Sequence, residues 1–327
     1  MELASLLFSQ DNWPDERKHS IQVLATFEIV NRENNDATWY FLFDWARGNL
    51  DDYWKRNDKL VRDYSRLPWM AEQFHGLCKA LQGVHNERDK TVPSFNLETS
   101  GASGKLYGRH GDINPSNFLW FTSANHNSIP DILILADFGL GRLHRQVSRS
   151  EQDPRSIART ATYRAPEFDL NKPLISRKTD IFSLGCVFLE YITWFFLGSQ
   201  GIEEKASLRF ELDIYGFHAD TFFTFHREQA ATQGKERQFF IKDSVRNLVH
   251  ELQSREDCCI YLHQLLDFIL NQMLLPDPHK RIDASRLTKE MDKLQRACNS
   301  ERDFYTPSSQ IMDGTVQPQI GEEDQHV

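Results

Sequence analysis

Apolar positions recur along this chain at two spacings, and each spacing predicts a different element. Two β-rich runs come first: residues 21–27 (IQVLATF) and 38–43 (TWYFLF) are dense in branched and aromatic side chains. The polar stretch 31–36 joins them, which predicts an antiparallel pair. Asn49, ahead of Leu50, is suited to cap a helix. Met70, Phe74, Leu77, Leu81 and Val84 then recur at steps of four and three, a buried helical stripe ending at His85, which reads as a packed core residue. Two short runs, 118–121 (FLWF) and 132–135 (ILIL), flank a turn-rich 122–130 and predict a hairpin. Residues 176–185 open a strongly apolar helix that reaches Phe196. Its apolar part, 187–197, is too short to span a bilayer and contains Glu190.

The polar stretches mark the rest. Residues 2–8 suit part of an amphipathic helix, and 9–20 hold Pro14 and read as a loop. Residues 86–107 are polar and read as an insertion. Residues 198–257 carry no readable motif and are also taken as an insertion, whereas 299–327 lack apolar periodicity and predict a disordered acidic tail. With 327 residues, 40% hydrophobic and 26% charged, the chain can build a large core or two lobes. A net charge of −9 argues against a nucleic-acid or anionic-membrane surface. Five cysteines without a C-x-x-C pair favour neither a disulfide framework nor zinc. The N-terminus lacks the basic start of a signal peptide, so a soluble protein of the cytoplasm or nucleus is expected.

The chemistry gathers between His110 and Gly141. His110-Gly111-Asp112 is followed by Asn117 five residues after Asp112, and Asp137-Phe138-Gly139 begins twenty residues after Asn117. The hairpin between them presents Asp112, Asn117 and Asp137 on one side. Oxygen ligands converging in this way suit a hard cation, because Mg²⁺ takes one or two protein oxygens and leaves the rest to phosphates and water.

An H-x-D-x-x-x-x-N loop followed by D-F-G resembles the protein kinase catalytic domain. Ala165-Pro166-Glu167 matches its A-P-E segment, and Asp180 and Arg281 match two further positions. The resemblance implies an α+β fold, with a mainly helical large lobe over 45–298 and an incomplete small β lobe over 1–44. It implies ATP and Mg²⁺ as cofactors and a protein as substrate, with neither nucleic acid nor membrane as partner. Asp112 and Asn114 would be the catalytic pair, with Asp112 taking the substrate proton. Asn117 and Asp137 would hold Mg²⁺. Phe43 would be the gatekeeper, and Asp44, Trp45 and Ala46 the hinge whose backbone meets adenine. Asp180 would hold the catalytic-loop backbone, and Glu167 would pair with Arg281. Leu6, Leu24, His110 and Phe138 would stack as an apolar spine. Thr160, seven residues before Glu167, implies serine and threonine over tyrosine.

The chain departs from the pattern in several places. Gly111 replaces the arginine of H-R-D, which grips an activation-loop phosphate in many kinases, so phosphorylation at Ser148, Ser150 or Ser156 is expected to matter little. Asn114 replaces a lysine, bringing a hydrogen bond but no charge. No G-x-G-x-x-G and no V-A-I-K occur, and Glu2 is placed like the small-lobe helix glutamate. The expectation is that the chain starts inside that helix and that the upstream reading frame encodes the missing parts. An inactive pseudokinase scaffold and a small-molecule kinase of the same fold are the alternatives.

Overall fold

The computed structural model describes residues 19–30, 37–85, 109–122, 131–137, 162–170, 175–213, 216–225 and 238–307. The expectations for residues 2–8, 86–107 and 299–327 beyond Pro307 lie outside these residues, as do those for Phe138 and Thr160.

The first two apolar runs form the expected pair. β1 (Val23–Val30) and β2 (Ala37–Phe43) are antiparallel, with Val23 opposite Phe43, and Phe27 stacked on Tyr40 at 5.2 Å. Leu24 is 55% exposed, as are Phe27, Ile29, Trp39, Tyr40 and Leu42 to similar degrees. This corrects the expectation for Leu24: it faces solvent and joins no spine with the buried His110.

Next come β3 (Gly48–Asn49) and α1 (Leu50–Arg56). Asn49 caps α1: its Oδ1 accepts from Asp52 N at 3.1 Å, and Asp52 Oδ2 accepts from Asn49 N at 3.2 Å. The predicted stripe becomes α2 (Leu67–His85), with Met70, Phe74, Leu77 and Leu81 buried. β4 (Phe118–Phe121) and β5 (Ile132–Leu135) form the predicted hairpin, in a sheet ordered β3-β4-β5. The chain entering β1 is tied to this sheet, since Leu135 N donates to His19 O at 2.8 Å and Ile21 N to Leu135 O at 3.0 Å.

The greasy run is the core of α3 (Lys178–Leu208), which bends at Gly198, where φ is 75°. α3 is long and apolar enough by composition to cross a membrane, yet 94% of its apolar window is buried inside the protein. Phe188 stacks on Phe74 at 3.8 Å, and Tyr53 packs among Trp69, Trp120, Tyr191 and Trp194. Two small hairpins follow, β6 (Glu211–Leu212) with β7 (His218–Ala219) and β8 (Phe223–Phe225) with β9 (Phe239–Ile241). Four helices complete the fold: α4 (Asp243–Gln253), α5 (Ile260–Phe268), α6 (Ala284–Ser300) and α7 (Arg302–Tyr305). The result is a mixed α+β, kinase-like architecture dominated by helices around α3.

Two of the expected segments carry packed structure. Residues 198–257, expected to be an insertion, supply α4, whose Val245, Leu248, Val249 and Leu252 belong to the main core. Their apolar spacing is helical, but the short hairpins before them, one of them Phe-rich, break the period. The tail was expected to begin at 299, yet Phe304 on α7 is buried and packs against Tyr261 of α5. One aromatic anchor is too short a signal for periodicity to register.

Phe188→Ala removes the ring at the centre of this packing and should cost about 3–5 kcal/mol. Chemical denaturation of the two proteins measures it. A loss below about 1 kcal/mol would show that α3 is not the packing centre.

Candidate active site

The site is built outward from the first turn of α3. Asp180 is buried there, and both carboxylate oxygens are committed. Oδ2 accepts from His110 N at 2.9 Å and from His85 Nε2 at 2.8 Å, and Oδ1 accepts from Gly111 N at 2.9 Å. Burial would raise the Asp180 carboxyl. The hydrogen bond and charge of His85, with His110 and the Gly111 N–H, outweigh it and hold the group below its ordinary value. Turning two successive N–H groups onto one carboxylate goes with φ +84° at Gly111, the left-handed region that glycine enters most easily. His85 is therefore more than a packing residue, and its sequence gave no sign of the carboxylate it would meet.

His110 carries the geometry onward. Its Nε2 donates to Ala136 O at 2.8 Å and its Nδ1 accepts from Asp112 N at 3.3 Å, which fixes a neutral tautomer. Burial, the largest influence, depresses its pKa. One ring thus ties the loop of Asp112 to the residue before Asp137.

Asp112 is held by two carboxamides. Asn114 Nδ2 donates to its Oδ1 at 3.1 Å, and Asn117 Nδ2 to its Oδ2 at 3.2 Å and to its backbone O at 2.7 Å. Asn114 also accepts from Ser116 N at 3.0 Å, capping the turn Pro115–Asn117. That turn delivers Asn117 to the start of β4, where its carbonyl accepts from Ala136 N at 2.9 Å. Asp137 follows at φ 65°, an uncommon conformation for a residue other than glycine. Asp112, Asn114, Asn117 and Asp137 are thus joined by one hydrogen-bonded loop-and-hairpin unit.

The residues expected to meet adenine flank this unit. Phe43 and Ala46 are half-buried and pack against Ile21, Phe121 and Ala136. Asp44 is exposed, and Trp45 between them is 86% exposed. Arg47 N donates to Trp120 O at 2.8 Å, so the segment is pinned to β4.

Near the same helix start, Arg281 meets Glu167 in a bidentate pair at 2.8 and 3.0 Å, both side chains essentially without solvent. Arg281 also donates to Lys178 O at 2.6 Å, and Lys178 Nζ to Arg281 O, tying the pair to the start of α3. Removing either partner would strand a buried charge at a cost of about 3–5 kcal/mol. A second buried group escaped the sequence: Glu190 accepts from Tyr163 OH at 2.5 Å and from Arg209 at 2.8 Å, with its carboxyl raised by burial. Arg209 lies in the stretch that showed no motif.

A pH dependence follows. His110 titrates below 6.5 in the fold and near 6.5 when unfolded. Between those values the unfolded chain binds the extra proton, so stability falls as pH drops below about 6.5. NMR titration of the His110 ring should give a midpoint below 6.5. A midpoint at or above 6.5 would contradict the buried, neutral ring.

Comparison with known proteins agrees with this geometry. Residues 106–291, more than half of the 327, match the protein kinase domain family. The chain is similar to cyclin-dependent kinase E-1 of Arabidopsis thaliana, at 31% identity over 54% of this chain and 37% of that protein. Mitogen-activated protein kinase 6 of the same plant matches at 28% over 53% of this chain and 38% of that protein. A G-type lectin S-receptor-like serine/threonine-protein kinase, also from Arabidopsis thaliana, matches at 37% over 52% of this chain and 15% of that protein. The chain spans well under half the length of each relative. On the family match and the site geometry, the chain belongs to the protein kinase family.

Proposed function

We propose that this chain transfers the γ-phosphoryl group of ATP, with Mg²⁺, to serine and threonine hydroxyls of protein substrates. Protein phosphorylation follows from the family, and one of the relatives carries serine/threonine specificity in its name. The observation that supports catalysis is the clamping of Asp112 by Asn114 and Asn117. A carboxylate held by neutral amides keeps its charge and its remaining lone pairs for a hydroxyl.

In this reading Asp112 accepts the hydroxyl proton as the oxygen attacks the γ-phosphorus. The bond from that phosphorus to the β-bridging oxygen breaks, and ADP leaves with the electron pair. Asn114 orients Asp112 without adding charge. The backbone at Asp44 and Ala46 would take the adenine, with Phe43 behind it. For the metal, the available donors fit. Asn117 spends its Nδ2 on Asp112, which leaves its amide oxygen as the acceptor, and Asp137 adds a carboxylate. Two hard oxygens suit Mg²⁺, which would neutralise charge on the phosphates. Among the described residues no cluster of three or more His, Cys, Asp or Glu offers a rival metal site.

Asp112→Asn should lower turnover by roughly 10²–10⁴-fold and leave ATP affinity nearly unchanged. Asp137→Ala should instead weaken Mg²⁺-dependent nucleotide binding. Equal turnover by wild type and Asp112→Asn would remove the catalytic reading.

A further inference from the structure

Where α3 ends, the chain turns apolar side chains into water. Leu208, in its last turn, is 63% exposed, and Phe210 and Leu212 just beyond it are 57% and 37% exposed. Side chains alternate along the β6–β7 hairpin, so one face carries Phe210, Leu212 and His218, with the Phe210 ring stacked on His218 at 5.0 Å. The Glu211 side chain points the other way, to Lys242 Nζ at 4.0 Å, and Lys242 also donates to Ala219 O at 3.1 Å. That face is turned to the body of the protein, and the apolar one is left open as interaction surfaces are.

The charge beside this surface is negative. Glu203 and Glu204 are exposed about one turn before Leu208, and Glu204 shares its face of the helix at the i, i+4 spacing. Glu204 accepts from the neutral amide of Gln200 at 3.1 Å, and neither carboxylate meets a cation among the described residues. The cations nearby are spent elsewhere: Lys205 on Glu251 at 2.6 Å, Arg209 on Glu190 at 2.8 Å, and Lys242 on the carbonyls of Arg209 and Ala219. A partner that fits brings apolar side chains together with lysine or arginine.

The hairpin is also fastened to the segment that leads into Glu167. Thr162 Oγ1 donates to Asp220 Oδ1 at 2.5 Å, at one end of the hairpin, and Arg164 Nη2 lies 3.7 Å from Asp213 Oδ2 at the other end of β6. Ser183 Oγ of α3 donates to Tyr163 O at 2.7 Å, so this segment and the loop of Asp112 are held by one helix. A polypeptide bound at the patch therefore has the rest of its length at a raised effective concentration near the candidate catalytic unit. We propose that the end of α3 and the open face of the β6–β7 hairpin dock a basic, apolar segment of the protein substrate, separate from the hydroxyl that is phosphorylated. The substrate role rests on the reading that this chain phosphorylates proteins; the binding itself does not.

The test uses the full chain and a fluorescein-labelled model peptide, LKRFLRKL, with LEDFLEDL as the acidic control. Anisotropy should show saturable binding of the basic peptide to the wild type, weaker as salt is raised, and no binding of the control. Leu208→Ser with Phe210→Ser, and separately Glu203→Lys with Glu204→Lys, should each weaken binding about tenfold or more. All four side chains are exposed, so both variants should unfold at the wild-type temperature. In a second arm, a serine peptide is phosphorylated alone and joined to LKRFLRKL by a flexible linker. Joining should lower KM about tenfold for the wild type with kcat unchanged, and should do nothing for either variant. Binding without any phosphorylation would uphold the docking surface and remove phosphoryl transfer. Equal binding by wild type and both variants would overturn the proposal, as would phosphorylation with no gain from the joined segment. So would a wild-type dimer that Phe210→Ser dissociates, because the patch would then belong to a second copy.

Discussion

The structure depends on one buried carboxylate. Asp180 sits in the first turn of the helix that forms the core, where an ion without partners would be prohibitively expensive. Three donors meet it, and two are successive backbone N–H groups of the loop that carries Asp112. The buried core helix therefore sets the position of the loop that carries Asp112. His110 extends the same constraint to Ala136, and so to Asp137. The two carboxylates of the candidate site are held in register through one side chain and the ring next to it. The buried Glu167–Arg281 pair anchors a second segment to the same helix start, through Lys178. A small region at the beginning of α3 thus anchors both the catalytic loop and the segment of Glu167.

Local signals were legible in the sequence where one element carries the information. The stripe from Met70 to Leu81, the cap at Asn49 and the hairpin between Asn117 and Asp137 each depend on neighbours within a turn or two. Motif spacing went further, joining Asp180 to His110 and Arg281 to Glu167 through the kinase resemblance. It failed where a partner is distant and unmarked. His85 reads as one more core residue until it is seen 2.8 Å from a carboxylate 95 positions away. Arg209 and α4 fall in a stretch whose short hairpins interrupt any helical period.

The β1–β2 hairpin behaves differently from the rest. It is joined to the sheet at Ser20, Ile21 and Leu135, yet Leu24, Phe27, Ile29, Trp39, Tyr40 and Leu42 stay exposed. Such surfaces carry an aggregation risk that folded proteins normally cover. The well-packed core and the exposed hairpin meet at Phe43 and Ala46, which lie against Ala136 beside the candidate catalytic unit. Nucleotide binding at that junction would draw on both parts.

If Asp180 sets the catalytic loop, amide hydrogen exchange will differ between wild type and Asp180→Asn. An asparagine offers one acceptor oxygen in place of two and turns an N–H₂ toward groups that donate. The His110 and Gly111 amides should lose protection while α2 and α6 keep theirs. Unchanged protection at both amides in a folded Asp180→Asn protein would show that Asp180 does not set the loop.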